Sequence, residues 1–276
     1  QSIGVSPDHV IPVSGREGDL IVGPSDNMPW YPGPSVVDAL DGFRVPAPAT
    51  DQPLRFPVQD VYKFDDRRIV AGRIESGTLR VGDTLLFSPT NKTVRVKSIE
   101  AWNAPAPPMK ASAGQSIGIT LDEQIFVERG HVASHEAHPP IETDVFRAHV
   151  FWLGREPLKT GKTYRMKLAN TEAPVTVQSI DNVIDTGDLS QRAGETVERN
   201  AVAEITVRSR KMLALDEFRD NQKTGRFVLI DGYDISGGGI VSMEGYADQR
   251  QMITKRASNI TQVMHDITDA DRARRI

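Results

Sequence analysis

Leu54-Arg-Phe-Pro-Val-Gln-Asp-Val-Tyr-Lys-Phe64, then Arg68-Ile-Val-Ala-Gly-Arg-Ile74, then Glu75-Ser-Gly-Thr-Leu-Arg-Val-Gly-Asp83, is the stretch that decides the fold. Its first two runs are rich in Val, Ile and aromatic residues, and its third is turn chemistry. The pattern repeats downstream. Thr84–Ser88 reads as a strand and Pro89-Thr-Asn-Lys92 as a turn. Thr93–Ser98 alternates, with Val94 and Val96 on one face and Arg95 and Lys97 on the other. Gln115–Leu121 reads as one more strand. Short strands at this spacing, with no long helical pattern between them, predict an antiparallel barrel. After Glu136-Ala-His-Pro-Pro-Ile141 the rhythm restarts, with strands expected over Val145–Trp152, Thr163–Leu168, Ala173–Ile184, Val197–Ser209 and Arg226–Ile230. The expected class is therefore mainly β, two antiparallel barrels over 45–140 and 141–248. One motif, L-x-x-G-x-T, occurs as Leu79–Thr84 and again as Leu158–Thr163, where Gly82 and Gly161 suit a positive φ at a turn entering a strand.

Residues 1–44 differ. Ile11-Pro-Val-Ser-Gly-Arg-Glu-Gly-Asp19 reads as a short apolar strand opening into a polar Gly-rich loop. Ser35 is placed to cap a helix running to about Leu40, and Gly42 to end it. This is a short α/β segment. Val45-Pro-Ala-Pro-Ala-Thr-Asp-Gln-Pro53 reads as an extended linker. At the other end, Thr268-Asp-Ala-Asp-Arg-Ala-Arg-Arg275 has the acid-first, base-last order of a helix start. Residues 249–276 are expected to be a linker toward a further domain.

Composition narrows the functional classes. The chain has 276 residues, enough for about two domains. It has no Cys, which rules out disulfides, thiolate metal sites and a thiol nucleophile, and fits a reducing cytoplasm. The net charge of −4 carries no electrostatic footprint for nucleic acid. No apolar run approaches the roughly 18 residues of a membrane helix. No G-x-x-x-x-G-K-[ST] phosphate loop occurs in the sequence.

The order strand–Ser14-Gly-Arg-Glu-Gly-Asp19–Asn27-Met-Pro-Trp-Tyr31–short helix, then Phe56-Pro-Val-Gln-Asp-Val-Tyr-Lys-Phe64 and Arg67–Asp83, then Thr224-Gly-Arg-Phe-Val-Leu-Ile-Asp231, resembles the translation-factor GTPase superfamily. Phe151–Tyr164 and Asn221–Asp231 resemble more narrowly the GTPase (large) subunit of bacterial sulfate adenylyltransferase, including forms fused to adenylylsulfate kinase. The resemblance implies barrels of the translation-factor type behind a remnant of a GTPase domain. It implies GTP and Mg as cofactors of a longer parent protein and the sulfate adenylyltransferase small subunit as partner. Ser14, Gly15 and Arg16 match the family's last guanine-binding motif: the Ser hydroxyl braces the loop and a backbone N–H faces the base. The phosphate loop, the switch segments and the N-K-x-D motif are missing from this sequence. The expectation is thus a piece of a larger protein that, alone, holds no nucleotide and catalyses nothing. Asp231–Ile240 also departs from the family's shorter stretch. The competing expectation is a pair of elongation-factor barrels that hold aminoacyl-tRNA, and a third is a stand-alone regulatory protein.

Three other constellations read as structure. Gly154-Arg-Glu-Pro-Leu-Lys-Thr-Gly-Lys-Thr163 imitates a phosphate loop, but Pro157 removes a donor and the alternating Tyr164–Leu168 is strand-like. His131, His135 and His138 are expected to be solvated loop histidines, not metal ligands. Gly237-Gly-Gly239 is expected to be a flexible turn between the last strands. No catalytic set stands out, and no metal site is expected.

Overall fold

The computed structural model describes residues 8–44, 47–63, 66–102, 105–184, 191–192 and 194–250. The chain divides into two compact units, Gln1–Ala47 and Pro48–Ile276. The expected helix at Thr268 lies outside the described residues.

The first unit contains α1 (Val36–Asp41). Ser35 caps it with a full capping box: its hydroxyl accepts from the Asp38 N–H, and the Asp38 carboxylate accepts from the Ser35 N–H. The Ser35 hydroxyl, and then its backbone N–H, hold the Asp38 carboxyl below its ordinary range. Gly42 closes the helix at φ −72°, in the right-handed region, so its conformational freedom is not used. The expected strand at Ile11–Val13 does not form. Among the described residues of this unit the only ladder contact is the single bridge Ser14↔Asp19. A strand requires a neighbour for its N–H and C=O groups, and among the described residues this segment has none beyond the bridge Ser14↔Asp19.

The second unit is almost all sheet. Its first half holds β1 (Phe56–Lys63), β2 (Arg68–Arg73), β3 (Thr78–Arg80), β4 (Thr84–Ser88), β5 (Lys92–Glu100), β6 (Lys110–Ser112), β7 (Ser116–Leu121) and β8 (Val132–His135). Six of these close a barrel in the order β1-β2-β7-β5-β4-β8. All pairings are antiparallel, and β8 returns to β1 at Phe56↔Ala133. The pair β3–β6 forms a separate ribbon.

The second half holds β9 (Ile141–Trp152), β10 (Leu158–Lys159), β11 (Thr163–Leu168), β12 (Thr171–Ile184), β13 (Gln191–Arg192), β14 (Thr196–Val197), β15 (Val202–Leu215), β16 (Arg226–Asp231) and β17 (Asp234–Ser242). Here β11-β16-β17-β9-β15-β12 closes into a ring through the β11–β12 pairing, and β13 is added beside β12. The pair β10–β14 again forms a separate ribbon. Both L-x-x-G-x-T motifs sit in the turn that joins a short ribbon strand to a barrel strand. Gly82 has φ +91° and Gly161 φ +78°, with Leu79 and Leu158 fully buried in their cores.

Each barrel has its own interior. The first is filled by Phe56, Phe87, Ile74, Leu79, Leu85, Ile99 and Ile119. The second is built on Trp152 against Tyr164, edge to face at 5.5 Å, and Phe146 against Phe227 at 5.7 Å. This explains the largest departure from expectation. Gly237–Gly239 is not a turn; it lies inside β17. A Cβ on Gly237 would come within 2.8 Å of the Trp152 ring, and one on Gly239 within 2.4 Å of the Phe227 ring. The glycines clear a path for the rings across the strand. The actual turn is Gly232–Tyr233, with Gly232 at φ +62° and Asp231 paired with Asp234.

Candidate nucleotide loop and the junction between the barrels

In the first unit, Ser14, Gly15 and Arg16 form the start of a tight loop closed by Asp19. The Ser14 Oγ accepts from the Glu17 N–H at 3.2 Å, and the Ser14 carbonyl accepts from the Gly18 N–H at 2.8 Å. Gly18 has φ +80°. The far side is held by Asp19, whose Oδ1 accepts from the Ser25 hydroxyl at 2.6 Å and from the Asn27 amide at 3.1 Å. Gly15 and Arg16 are exposed, and an added Cβ on Gly15 would meet nothing within 4 Å. The Arg16 side chain pairs with Glu17 at 3.4 Å. The loop thus presents exposed backbone around a braced hydroxyl.

The other sequence candidates are placed as follows. Lys162, in the imitation phosphate loop, donates to Asp231 Oδ2 at 2.6 Å and lies 5.2 Å above the Tyr164 ring. A strand, β11, follows it, not a helix. The hydrogen bond to Asp231 raises the Lys162 pKa, and burial raises that of Tyr164, whose hydroxyl accepts from the Lys159 N–H. The histidines are not all solvated loop residues. His131 is buried at the entry to β8, and burial, reinforced by Lys211, pushes its pKa down against the pull of Glu128. His135 ends β8 and pairs with Asp83 at 3.2 Å. Among the described residues no cluster of His, Asp and Glu could hold a metal ion.

The densest polar chemistry joins the two barrels. Arg55, ahead of β1, makes a bidentate pair with Asp216, just after β15: Nε to Oδ2 at 2.8 Å and Nη2 to Oδ1 at 2.7 Å. Both side chains are 7% exposed. Asp216 also accepts from the Thr224 hydroxyl, and the Asn221 amide donates to Ser76 Oγ at 2.9 Å. A second contact comes from the β11–β12 turn. The Asn170 amide donates to the Pro57 carbonyl at 3.1 Å, and the Thr171 hydroxyl to the Gly130 carbonyl at 2.7 Å. Gly130 has φ +93°, and a Cβ there would come within 2.9 Å of Thr171 Oγ1, so only glycine permits this approach. A third contact joins Asn91, on the β4–β5 turn, to Glu142 of β9 at 2.8 Å.

Comparison with known proteins now bears on this pair of barrels. Residues 67–134 match the family model described as elongation factor Tu domain 2, and residues 145–242 match the one described as GTP-eEF1A C-terminal domain-like. These are translation-factor barrels. Sulfate adenylyltransferase subunit 1 of Laribacter hongkongensis (strain HLHK9) is 32% identical over 223 residues, covering 80% of this chain and 46% of that protein. Elongation factor 1-alpha of Thermococcus sibiricus is 32% identical over 260 residues, covering 88% of this chain and 60% of that protein. A crystal structure described as sup35 complexed with GDP superposes with a TM-score of 0.65 at 22% identity, over 82% of this chain and 56% of that one, which shows the shared fold. The chain spans about half the length of the first of these relatives. No helix among the described residues is long and apolar enough to cross a membrane.

In these translation-factor barrels, the lock between them escaped the reading of the sequence. Arg55 and Asp216 stand 161 residues apart. The only local signal is a charge, Arg55, set between Leu54 and Phe56 at the mouth of an apolar strand.

Proposed function

We propose that this chain is the barrel region of a GTP-dependent sulfate adenylyltransferase large subunit, acting in the activation of sulfate by ATP to adenosine 5'-phosphosulfate. The barrels couple the state of a GTPase domain to the catalytic small subunit, which is the partner. The observation that carries this is the bidentate, desolvated Arg55–Asp216 pair with its flanking contacts. Two barrels joined in this way move as one body, which is what a relay between two proteins requires. The likeness to sulfate adenylyltransferase subunit 1 supplies the chemical context. Residues 1–44 are read as the end of the GTPase domain. Ser14 braces the guanine loop and the backbone of Gly15 and Arg16 faces the base, while GTP and Mg are held chiefly by the rest of the parent protein. Bound GTP would supply the hydrolysable γ-phosphate that sets the switch. Residues 45–140 and 141–248 are read as the two barrels, and 249–276 as a linker toward a further domain. A cytoplasmic setting accords with the absence of Cys.

A second reading, barrels that hold aminoacyl-tRNA, is favoured by the equal identity to an elongation factor 1-alpha. The net charge of −4 weighs against it. Titration of the full chain with the small subunit, and separately with charged tRNA at low salt, separates the two. Saturable binding to the subunit alone is expected. Salt-sensitive tRNA binding without subunit binding would reverse the assignment.

A further inference from the structure

The segment between the barrels, Glu136–Pro140, is where a hinge would sit, and two arginines grip its carbonyl groups from opposite ends of the sequence. The Arg55 Nη1 donates to the His138 carbonyl at 2.8 Å. The Arg250 Nη2 donates to the Pro140 carbonyl at 2.6 Å. Arg55 belongs to the first barrel and is fixed by Asp216. Arg250 comes from the chain that leaves the second barrel after β17. The two guanidinium groups therefore immobilise carbonyls two residues apart in the linker.

Arg250 does more than hold the linker. Its Nη2 also donates to the Ser88 hydroxyl at 3.0 Å, and its Nη1 to Asn91 Oδ1. The same Nη1 lies 2.8 Å from Glu142 Oε1. Glu142 is completely buried, and its other oxygen accepts from the Asn91 amide at 2.8 Å. Asn91 has φ +55°, a left-handed conformation that places its side chain in this cluster. The strap itself is pinned alongside β9: the Glu142 N–H donates to Asp248 Oδ1 at 3.1 Å, and the Gln249 N–H to the Glu142 carbonyl at 2.7 Å. One side chain thus touches the first barrel, the linker and the second barrel together.

We propose that Asp248–Arg250 is a releasable strap that holds the second-barrel end of the linker and the β4–β5 turn. Its release leaves both barrels folded and still joined through Arg55 and Asp216, and frees the linker end and that turn to move locally. The asymmetry of the two arginines supports a releasable half and a fixed half. Arg55 lies within the body of the unit with its carboxylate on a neighbouring strand end. Arg250 follows residues 246–249, which have no regular structure, and its side chain is more exposed, at 16%. Burial of its carboxylate partner favours the neutral acid, opposed first by the Asn91 hydrogen bond and then by the charge of Arg250. The inference is independent of the partner proposed above, since it concerns only contacts within the unit.

The test is amide hydrogen exchange of the full chain, comparing the natural protein with Arg250→Ala and Arg250→Lys. In Arg250→Ala, amides of residues 88–92 and 138–143 are expected to exchange at least about tenfold faster, while the central amides of β2, β7, β12 and β15 keep their rates. Arg250→Lys keeps the charge but not the planar fork, and is expected to fall between the two. If Arg250→Ala fails to fold, the lysine variant decides by the same local readout. Unchanged rates at both segments, or an acceleration spread evenly over both barrels, would overturn the proposal.

Discussion

The first barrel fills its interior with Phe56, Phe87 and a surround of Ile, Leu and Val; the second sets Trp152, Tyr164, Phe146 and Phe227 around a strand that carries three consecutive glycines. Both close through six antiparallel strands, and both attach a short ribbon by the same L-x-x-G-x-T turn. The difference lies in how volume is distributed. In the first barrel aliphatic side chains of similar size pack from most strands, as buried runs in β4 and β7 and as alternation in β5. Large rings must be matched by missing side chains on the facing strand, and that strand then shows no alternation at all. The trace is broken at β17, while β11 of the same barrel alternates strictly.

The comparison can be broken most severely where the barrels join. Asp216→Ala strands the Arg55 guanidinium in a buried site, and the expected loss of stability is about 3–5 kcal/mol, read from a urea or thermal melt. A loss below about 1 kcal/mol would mean that the pair is hydrated and does not lock the barrels. Next in size is Gly239→Ala, which drives a methyl into the Phe227 ring; overpacking of this kind costs about 1–3 kcal/mol. A stabilised Gly239→Ala protein would show that the glycine strand is not cut to fit the rings.

A pH series separates two buried titrating groups. The folded pKa of His131 lies below its ordinary 6.5, so the folded state binds fewer protons than the unfolded state in that window. Stability contributed here is fully present above about pH 6.5 and falls as the pH drops, by at most about 1.4 kcal/mol per pH unit. Glu142 has the opposite sign: its raised pKa means that folding takes up a proton at pH values just above 4.5, and stability there rises with acid. Subtracting the pH curve of His131→Gln from that of the natural protein should leave the loss near neutrality alone. A flat difference curve would place His131 in water. The smallest effect expected is that of Gly238→Ala. A Cβ there meets nothing within 4 Å, so a change within about 0.5 kcal/mol is predicted beside the large cost at Gly239.

These contrasts also explain what could be read from the sequence. β4 and β11 were legible to the residue, and β1, β2, β5, β7 and β16 to within one or two at each end, because each carries its own alternation or apolar run. β17 was not, since two of its inward positions, Gly237 and Gly239, are glycines that face Trp152 and Phe227 on other strands. β8 was obscured by His131 and His135, which suggest a polar loop although the intervening Val132 and Ala133 are buried. The short ribbons β3–β6 and β10–β14 are two or three residues a strand, too brief to show a period. The turn over Ser14–Asp19 was legible because its hydrogen bonds are local. The Arg55–Asp216 and Arg250–Glu142 contacts were invisible because each joins residues more than 100 positions apart, and no local pattern announces such a partner.

The account rests on the two barrels behaving as one mechanical body, and native-state hydrogen exchange in low denaturant measures this directly. The slowest amides of β4 and β5 in the first barrel and of β9 and β15 in the second are predicted to share one opening free energy, which falls for both barrels together in Asp216→Ala. Two distinct opening free energies in the natural protein, separated by more than about 2 kcal/mol, would show that each barrel unfolds alone and would contradict the account.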